Sequence, residues 1–167
     1  MYQRNKVGFM NLEKAAKYQL WANDKVREIV RDLKVDEFSK ENIQDYIIHI
    51  IAAIEYNLES VIKKKDIDYG IMYEDLYNQS KEKLLEKWSK TDEKLLKNIK
   101  NIGEEKISFP NFVKGEGEVL MSQEDYYFQY LTHTIYHRGQ LMTALKKIGK
   151  KGITTDYLLY LFDLDSA

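Results

Sequence analysis

Three histidines, His49, His133 and His137, are the residues of this chain whose type and spacing point most directly to chemistry. His133 and His137 are four positions apart, so on a helix both imidazoles leave the same face. A third imidazole from a facing helix would complete a three-nitrogen metal site in a bundle core. Neutral imidazole suits zinc, nickel, iron and copper. Three protein ligands leave positions open for water or substrate, as in catalytic rather than structural sites. The plainer alternative is that the pair are helix residues in ordinary packing and that His49 is a satisfied core histidine. Two other metal patterns fail. A ferritin-like di-metal site needs Glu-x-x-His on two helices, and no histidine here has a Glu three positions before it. The zinc-protease pattern His-Glu-x-x-His has Thr134 where the Glu would stand. The chain has no cysteine, which excludes a disulfide framework, a cysteine zinc site, an iron–sulfur cluster and a cysteine nucleophile.

The elements that must position these histidines read as long helices. One proline and eight glycines in 167 residues are too little punctuation for many short strands. A first helix is expected from Asn11, its N-cap, to about Leu33, with Leu12, Ala15, Ala16, Leu20, Val26, Ile29 and Val30 in helical spacing. A second runs from about Lys40 to Lys64, capped by Ser39, with an apolar stripe at Ile43, Ile47, Ile50, Ile54, Leu58 and Val61. His49 lies well off that stripe, with Ala53, Tyr56 and Ser60 as its face-mates. Residues 66–78, holding Gly70, read as a connection. A third helix spans about Ser80 to Ile102 with Gly103 as its C′ residue. Residues 104–120 carry Pro110, Gly115 and Gly117 and read as a short hairpin or extended loop. A fourth helix begins at the capping-box-like Ser122-Gln-Glu-Asp125 and stops at Gly149. A short helix near Thr155–Phe162 closes the chain. The sum is an all-α four-helix bundle in one domain over residues 1–167, with residues 1–9 outside the ordered part.

Between Tyr126 and Leu145 the fourth helix carries one formal charge, Arg138. Two apolar stripes lie on it, Phe128/Leu131/Ile135/Met142/Leu145 and Tyr126/Tyr130/Leu141/Ala144/Ile148. A helix apolar on two sides must be covered on both, and a second copy of the chain is the economical cover. A homodimer with this helix at or near the interface is therefore expected. The charge balance, 26 basic against 27 acidic residues, gives no basic surplus for nucleic acid. The longest apolar run, Tyr46–Ile54, is far short of a membrane span. With no signal-peptide pattern at the start, the expected location is the cytoplasm.

Tyr-His-Arg-Gly-Gln at 136–140, preceded by His133, resembles the His-x-x-x-His-Arg-Gly-Gln signature of the DinB family of damage-inducible small bundle proteins. Tyr18-Gln-Leu-Trp-Ala-Asn23 resembles the Tyr-x-x-Trp-Ala-Asn of that family's first helix. His49 stands where its second helix supplies a ligand, and Thr155–Tyr160 resembles its closing segment. The resemblance implies an up-down-down-up bundle, usually dimeric, with a divalent metal on His49, His133 and His137. It also implies membership of a group in which some proteins are metal-dependent transferases and isomerases using small thiols.

The leading expectation is therefore a divalent-metal protein, with zinc or nickel ahead of iron or manganese, that activates a small-molecule thiol for S-transfer or isomerisation. A metal on neutral imidazoles keeps its positive charge and binds a thiol as thiolate. The same metal could activate water, making a hydrolase. Two non-catalytic readings stay open: a metal-binding stress-response dimer, and a purely structural dimer. Supporting candidates are Asp45, one turn before His49; Arg138, against a plain ion pair; Tyr130, against packing; and Gln140. Trp21 and Asn23 read as packing and hydrogen-bonding residues.

Overall fold

The computed structural model describes residues 11–110 and 114–165. The expectation about residues 1–9 lies outside that range. Seven α-helices occur among the described residues: α1 (Leu12–Arg31), α2 (Val35–Phe38), α3 (Ile43–Tyr56), α4 (Tyr69–Tyr77), α5 (Lys81–Ile99), α6 (Gln123–Lys147) and α7 (Tyr157–Asp165). A two-stranded antiparallel hairpin, β1 (Ile107–Pro110) and β2 (Glu118–Met121), precedes α6.

The four long helices α1, α3, α5 and α6 form the bundle. Side-chain contacts fix their directions. Glu13 at the start of α1 meets Lys100 just past α5, and Arg31 at its end accepts a hydrogen bond from Lys81 at the start of α5. These two helices are antiparallel. Gln19 reaches Leu131 while Asn23 reaches Arg138, so α1 and α6 are parallel. Glu41 meets Lys147 while Asn57 meets Tyr126, so α3 and α6 are antiparallel. The order is up-down-down-up. Helix α5 packs on α1 and α3, and α6 packs on the same two from the other side.

Local chemistry explains most boundaries. Asn11 caps α1 by accepting from the Lys14 N–H, Ser80 caps α5 from Lys83, and Ser122 caps α6 from Asp125. Gly149 ends α6 with φ +81°, the left-handed conformation in which glycine carries no Cβ penalty. Helix α3 is the core element. Ile43, Ile47, Ile48, Ile50, Ile51 and Ile54 are all buried, each worth roughly 1.5–3 kcal/mol of burial.

The structure corrects four expectations. Ser39 does not cap the second long helix; it ends the short α2, and the N-cap is Asn42 in the left-handed region with φ 58°. Residues 66–78 are not a bare connection: Asp68 caps α4 through the Ile71 N–H, and α4 packs back along α3. This return is what lets two successive long helices run in the same direction. Helix α5 stops at Ile99 rather than Ile102, and Gly103 is not its left-handed cap; the Gly103 N–H instead donates to the Gln123 side chain. The last helical stretch of α3 is not α-helical, because Asn57–Ile62 forms a π-helical turn. Long-range packing sets most of these features, while the Asp68 cap of α4 is a local signal. The hairpin, the α6 boundaries and the closing helix agree with the sequence reading. Among the described residues no helix is long and apolar enough to cross a membrane.

Candidate metal centre and adjoining cavity

His49 projects from α3 toward α6, where His133 and His137 lie one turn apart. The ring centroids are 5.2 Å apart for His49–His133, 4.3 Å for His49–His137 and 4.3 Å for His133–His137. One nitrogen from each ring can be chosen so that all lie within 4.8 Å of one another. The Nε2 atoms of His49 and His133 are 3.2 Å apart. Two nitrogens on one ion at about 2.0–2.1 Å would sit about 3 Å apart, so the pair already has the spacing of shared ligands.

The electrostatics suit a cation. All three rings are half-buried. Burial lowers the pKa of each ring below the usual histidine value, to about 4 for His133. Mutual repulsion adds to this at His49 and His133. The imidazoles are therefore neutral near pH 7, the form that ligates a metal. The Nδ1 of His137 lies 2.7 Å from Gln140 Oε1, and the Gln140 amide nitrogen in turn donates to the Tyr136 hydroxyl at 3.2 Å. That contact orients the His137 ring and leaves Nε2 free to accept a metal.

The other candidates fall in different places. Tyr130 lines a cavity of about 800 Å³ that opens beside His49 and His133. Burial pushes its phenol up to about 12, so it is a neutral donor at physiological pH. Asp45 lies one turn before His49 but is engaged by the Tyr73 hydroxyl, which burial and this carboxylate hold above the ordinary phenol value. Arg138 is buried and points away from the cavity, toward α1. Its guanidinium donates to Gln19, to Asn23 Oδ1 at 3.0 Å and to the Tyr18 hydroxyl at 3.2 Å. Asn23 passes the contact on to Asp92, which Arg27 also meets at 2.5 Å. The Trp21 indole donates to Asp163 on α7. Asn23 and Arg138 thus belong to a buried network joining α1, α5 and α6, and Trp21 ties α1 to α7; none of the three lines the cavity.

Sequence reasoning missed much of the cavity wall. Its lining includes Phe109 and Met121 from the hairpin, Tyr69 from α4, Asn57 from the π turn and Asp125 and Gln129 from α6. The face-mates Ala53, Tyr56 and Ser60 were signalled through helical spacing from His49, and Tyr130 through its place one turn before His133. The two stripes of α6 also sort differently from expectation. Leu131 and Leu145 are buried along with Tyr126, Tyr130, Leu141 and Ala144, because α1 and α3 flank the helix over a wide arc, while Phe128 and Ile135 remain exposed.

Comparison with known proteins adds one finding. Neither the curated proteins nor the solved structures give a match to this chain. The family model of the DinB family matches residues 113–164, the stretch that holds His133, His137, Arg138 and Gln140, so the family that the histidine motif resembles is also the one whose model matches this part of the chain.

Proposed function

We propose that the protein is a divalent-metal-dependent enzyme that activates a small thiol for S-transfer or isomerisation. The observation that carries this reading is the convergence of His49, His133 and His137 beside an open cavity. Three neutral imidazoles suit zinc or nickel ahead of iron or manganese. A divalent ion held there would lower the pKa of a bound thiol, and the sulfur would then attack an electrophile at neutral pH.

The chain's own residues supply the setting. Gln140 holds His137 in one orientation. Tyr126 and Tyr130 form an apolar wall that limits water near the reacting atoms, with the Tyr126 hydroxyl tied to Asn57 Oδ1 at 3.1 Å. The thiol proton leaves to solvent through the cavity mouth. In S-transfer the sulfur would form its bond to the electrophilic carbon as the leaving group departs with its bonding pair; in isomerisation the thiol would itself be released again. With no cysteine in the chain, the sulfur comes from a diffusible thiol, and the reading places the protein in the cytoplasm, where such thiols stay reduced.

We also propose a homodimer through α6. Phe128, Thr132, Ile135, Gly139 and Met142 follow a four-three spacing on its outer side and carry no charge. This is the seam pattern of paired helices.

The deciding experiment is elemental analysis of the tag-free protein beside His49→Ala, followed by thiol titration of a cobalt- or nickel-substituted sample. Near-stoichiometric metal that is lost in the variant, with a thiol-dependent spectral change, supports the reading. Metal without any response to thiols overturns the thiol chemistry, and no metal in either sample overturns the site.

A further inference from the structure

The cavity beside His49 and His133 is far more apolar than a site for a charged substrate would be. Five aromatic rings, Tyr56, Tyr69, Phe109, Tyr126 and Tyr130, surround it. They meet largely edge to face: Tyr56–Tyr69 at 5.3 Å, Phe109–Tyr126 at 5.8 Å and Tyr126–Tyr130 at 5.0 Å. This is the preferred packing of rings, and it fixes the walls without filling the space between them. The small Ala53 leaves room next to His49. A volume of about 800 Å³ falls within the range of pockets that enclose a small organic molecule.

Charge narrows the occupant further. Among the described residues no Lys or Arg lines the cavity, and the one carboxylate on its lining is Asp125. Asp125 is fixed in the first turn of α6, where its carboxylate accepts from the Ser122 hydroxyl at 2.7 Å and its N–H donates to the Ser122 oxygen. An anionic group seated among the aromatic walls would lose its hydration and gain no side-chain cation in return, the metal proposed at the His49 and His133 end being the one cation within reach. It would also meet the Asp125 charge, which is weakened by solvent because that side chain is exposed. The polar groups on offer, Asn57, Ser60 and Gln129, are neutral hydrogen-bonding partners. The π turn at Asn57–Ile62 contributes two of them, and such turns inside helices are frequent at functional sites.

We infer that this cavity takes an uncharged, planar, apolar molecule of one or two fused rings and discriminates against its anionic counterpart. The inference rests on the proposed function only in assigning that molecule as the electrophile the activated thiol attacks. Aromatic walls, the volume and the lack of a side-chain cation among the described lining residues select it whether or not a thiol follows.

The test is a pair of probes matched in shape and different in charge, 2-naphthol and naphthalene-2-sulfonate. Sulfonate is a poor metal ligand, so a metal at the histidines does not mask the comparison. Binding is measured by calorimetry at pH 7 on the full chain as isolated, with its metal content determined on the same sample. The expected result is saturable binding of 2-naphthol, with the sulfonate at least tenfold weaker. Asp125→Asn keeps the side-chain shape and, because the carboxylate is exposed, is expected to narrow that ratio only slightly. Ala53→Leu is expected to weaken 2-naphthol at least tenfold with an unchanged helical circular dichroism spectrum. Absence of 2-naphthol binding by a folded wild type, or equal binding of both probes, overturns the inference. If Ala53→Leu fails to fold, Tyr69→Ala at the cavity mouth replaces it, and unchanged 2-naphthol binding by either folded variant also overturns it. Failure of metal loading with the probe ratio intact would remove the proposed enzyme and leave the cavity assignment standing. Stoichiometric metal with no probe binding would do the reverse.

Discussion

The Gln140 carbonyl oxygen accepts the Nδ1–H of His137 at 2.7 Å, one turn further along the same helix. A ligating histidine usually has its other ring nitrogen held in this way, and loss of such a partner typically costs 10–100-fold in metal affinity. Gln140→Ala is therefore expected to weaken zinc binding by about that factor in a chelator competition assay. Gln140→Glu retains an acceptor and is expected to stay within a few-fold of the wild type. Equal affinity of all three proteins would show that Gln140 does not orient the ring.

Arg138 is adjacent to His137 in the chain yet faces α1, where Gln19, Asn23 and Tyr18 accept its donors. Its work is structural. Arg138→Met leaves those acceptors unpaired in a buried setting, and is expected to destabilise the fold by about 2–4 kcal/mol. Metal content is expected to stay near that of the wild type. Denaturant unfolding together with elemental analysis checks both. A stable Arg138→Met protein with altered ligand binding would instead return Arg138 to the site.

These two residues also show where the sequence was legible. The i, i+4 spacing of His133 and His137 survives directly into the structure, because helical geometry alone places the two rings together. His49 follows from the motif, and its face-mates Ala53, Tyr56 and Ser60 follow from helical arithmetic. Arg138 could be recognised as a charge that needs partners, but its direction depends on which neighbour α6 meets on that side. The hairpin residues Phe109 and Met121, and Tyr69 on α4, reach the cavity through tertiary docking. No period or cap in their own segments encodes that. The π turn at Asn57–Ile62 is hidden for a similar reason: Leu58, Val61 and Ile62 continue an ordinary helical pattern, so periodicity extends the α-helix through them.

Glu55 gives a test of the bundle that is independent of the histidines. It is buried on α3 and faces α5, where the Lys94 ammonium lies 2.8 Å away and the Thr91 hydroxyl donates at 2.8 Å. Burial alone would raise its pKa, but the bonds from Lys94 and Thr91, with the nearby Lys87 charge, hold it below the ordinary 4.5. A carboxyl with a depressed folded-state pKa contributes stability that is present in full above the unfolded value and lost as pH falls through the folded one. Glu55→Gln is expected to cost about 1–2 kcal/mol at pH 7, discounted for the half-exposed lysine. The gap between the two proteins is expected to shrink below about pH 4. Paired urea melts at pH 7, 5 and 3.5 measure it. A gap that holds constant across this range would mean that the ionised form of Glu55 gains nothing from its partners.

The last prediction concerns the outer side of α6. Phe128 is 56% exposed and Ile135 44% exposed; Glu124 and Asp125 lie one turn before Phe128, and the strip from Phe128 to Met142 carries no charge. Gly139 lies on the same strip, and a Cβ there would meet nothing within 4 Å, so a second helix could approach closely. Large apolar residues repeated at seam spacing are costly to leave in water, and a symmetric copy would present the same seam in return. The wild type is expected to sediment as a dimer at micromolar concentration. Phe128→Glu with Ile135→Glu sets like charges against each other across the twofold axis and is expected to give a monomer. Neither residue touches the histidines or lines the cavity, so metal content is expected to be unchanged. Sedimentation velocity with elemental analysis separates the outcomes. A dimer that survives both charges would place the interface elsewhere, and a monomeric wild type would remove the dimer from the proposal while leaving the metal centre intact.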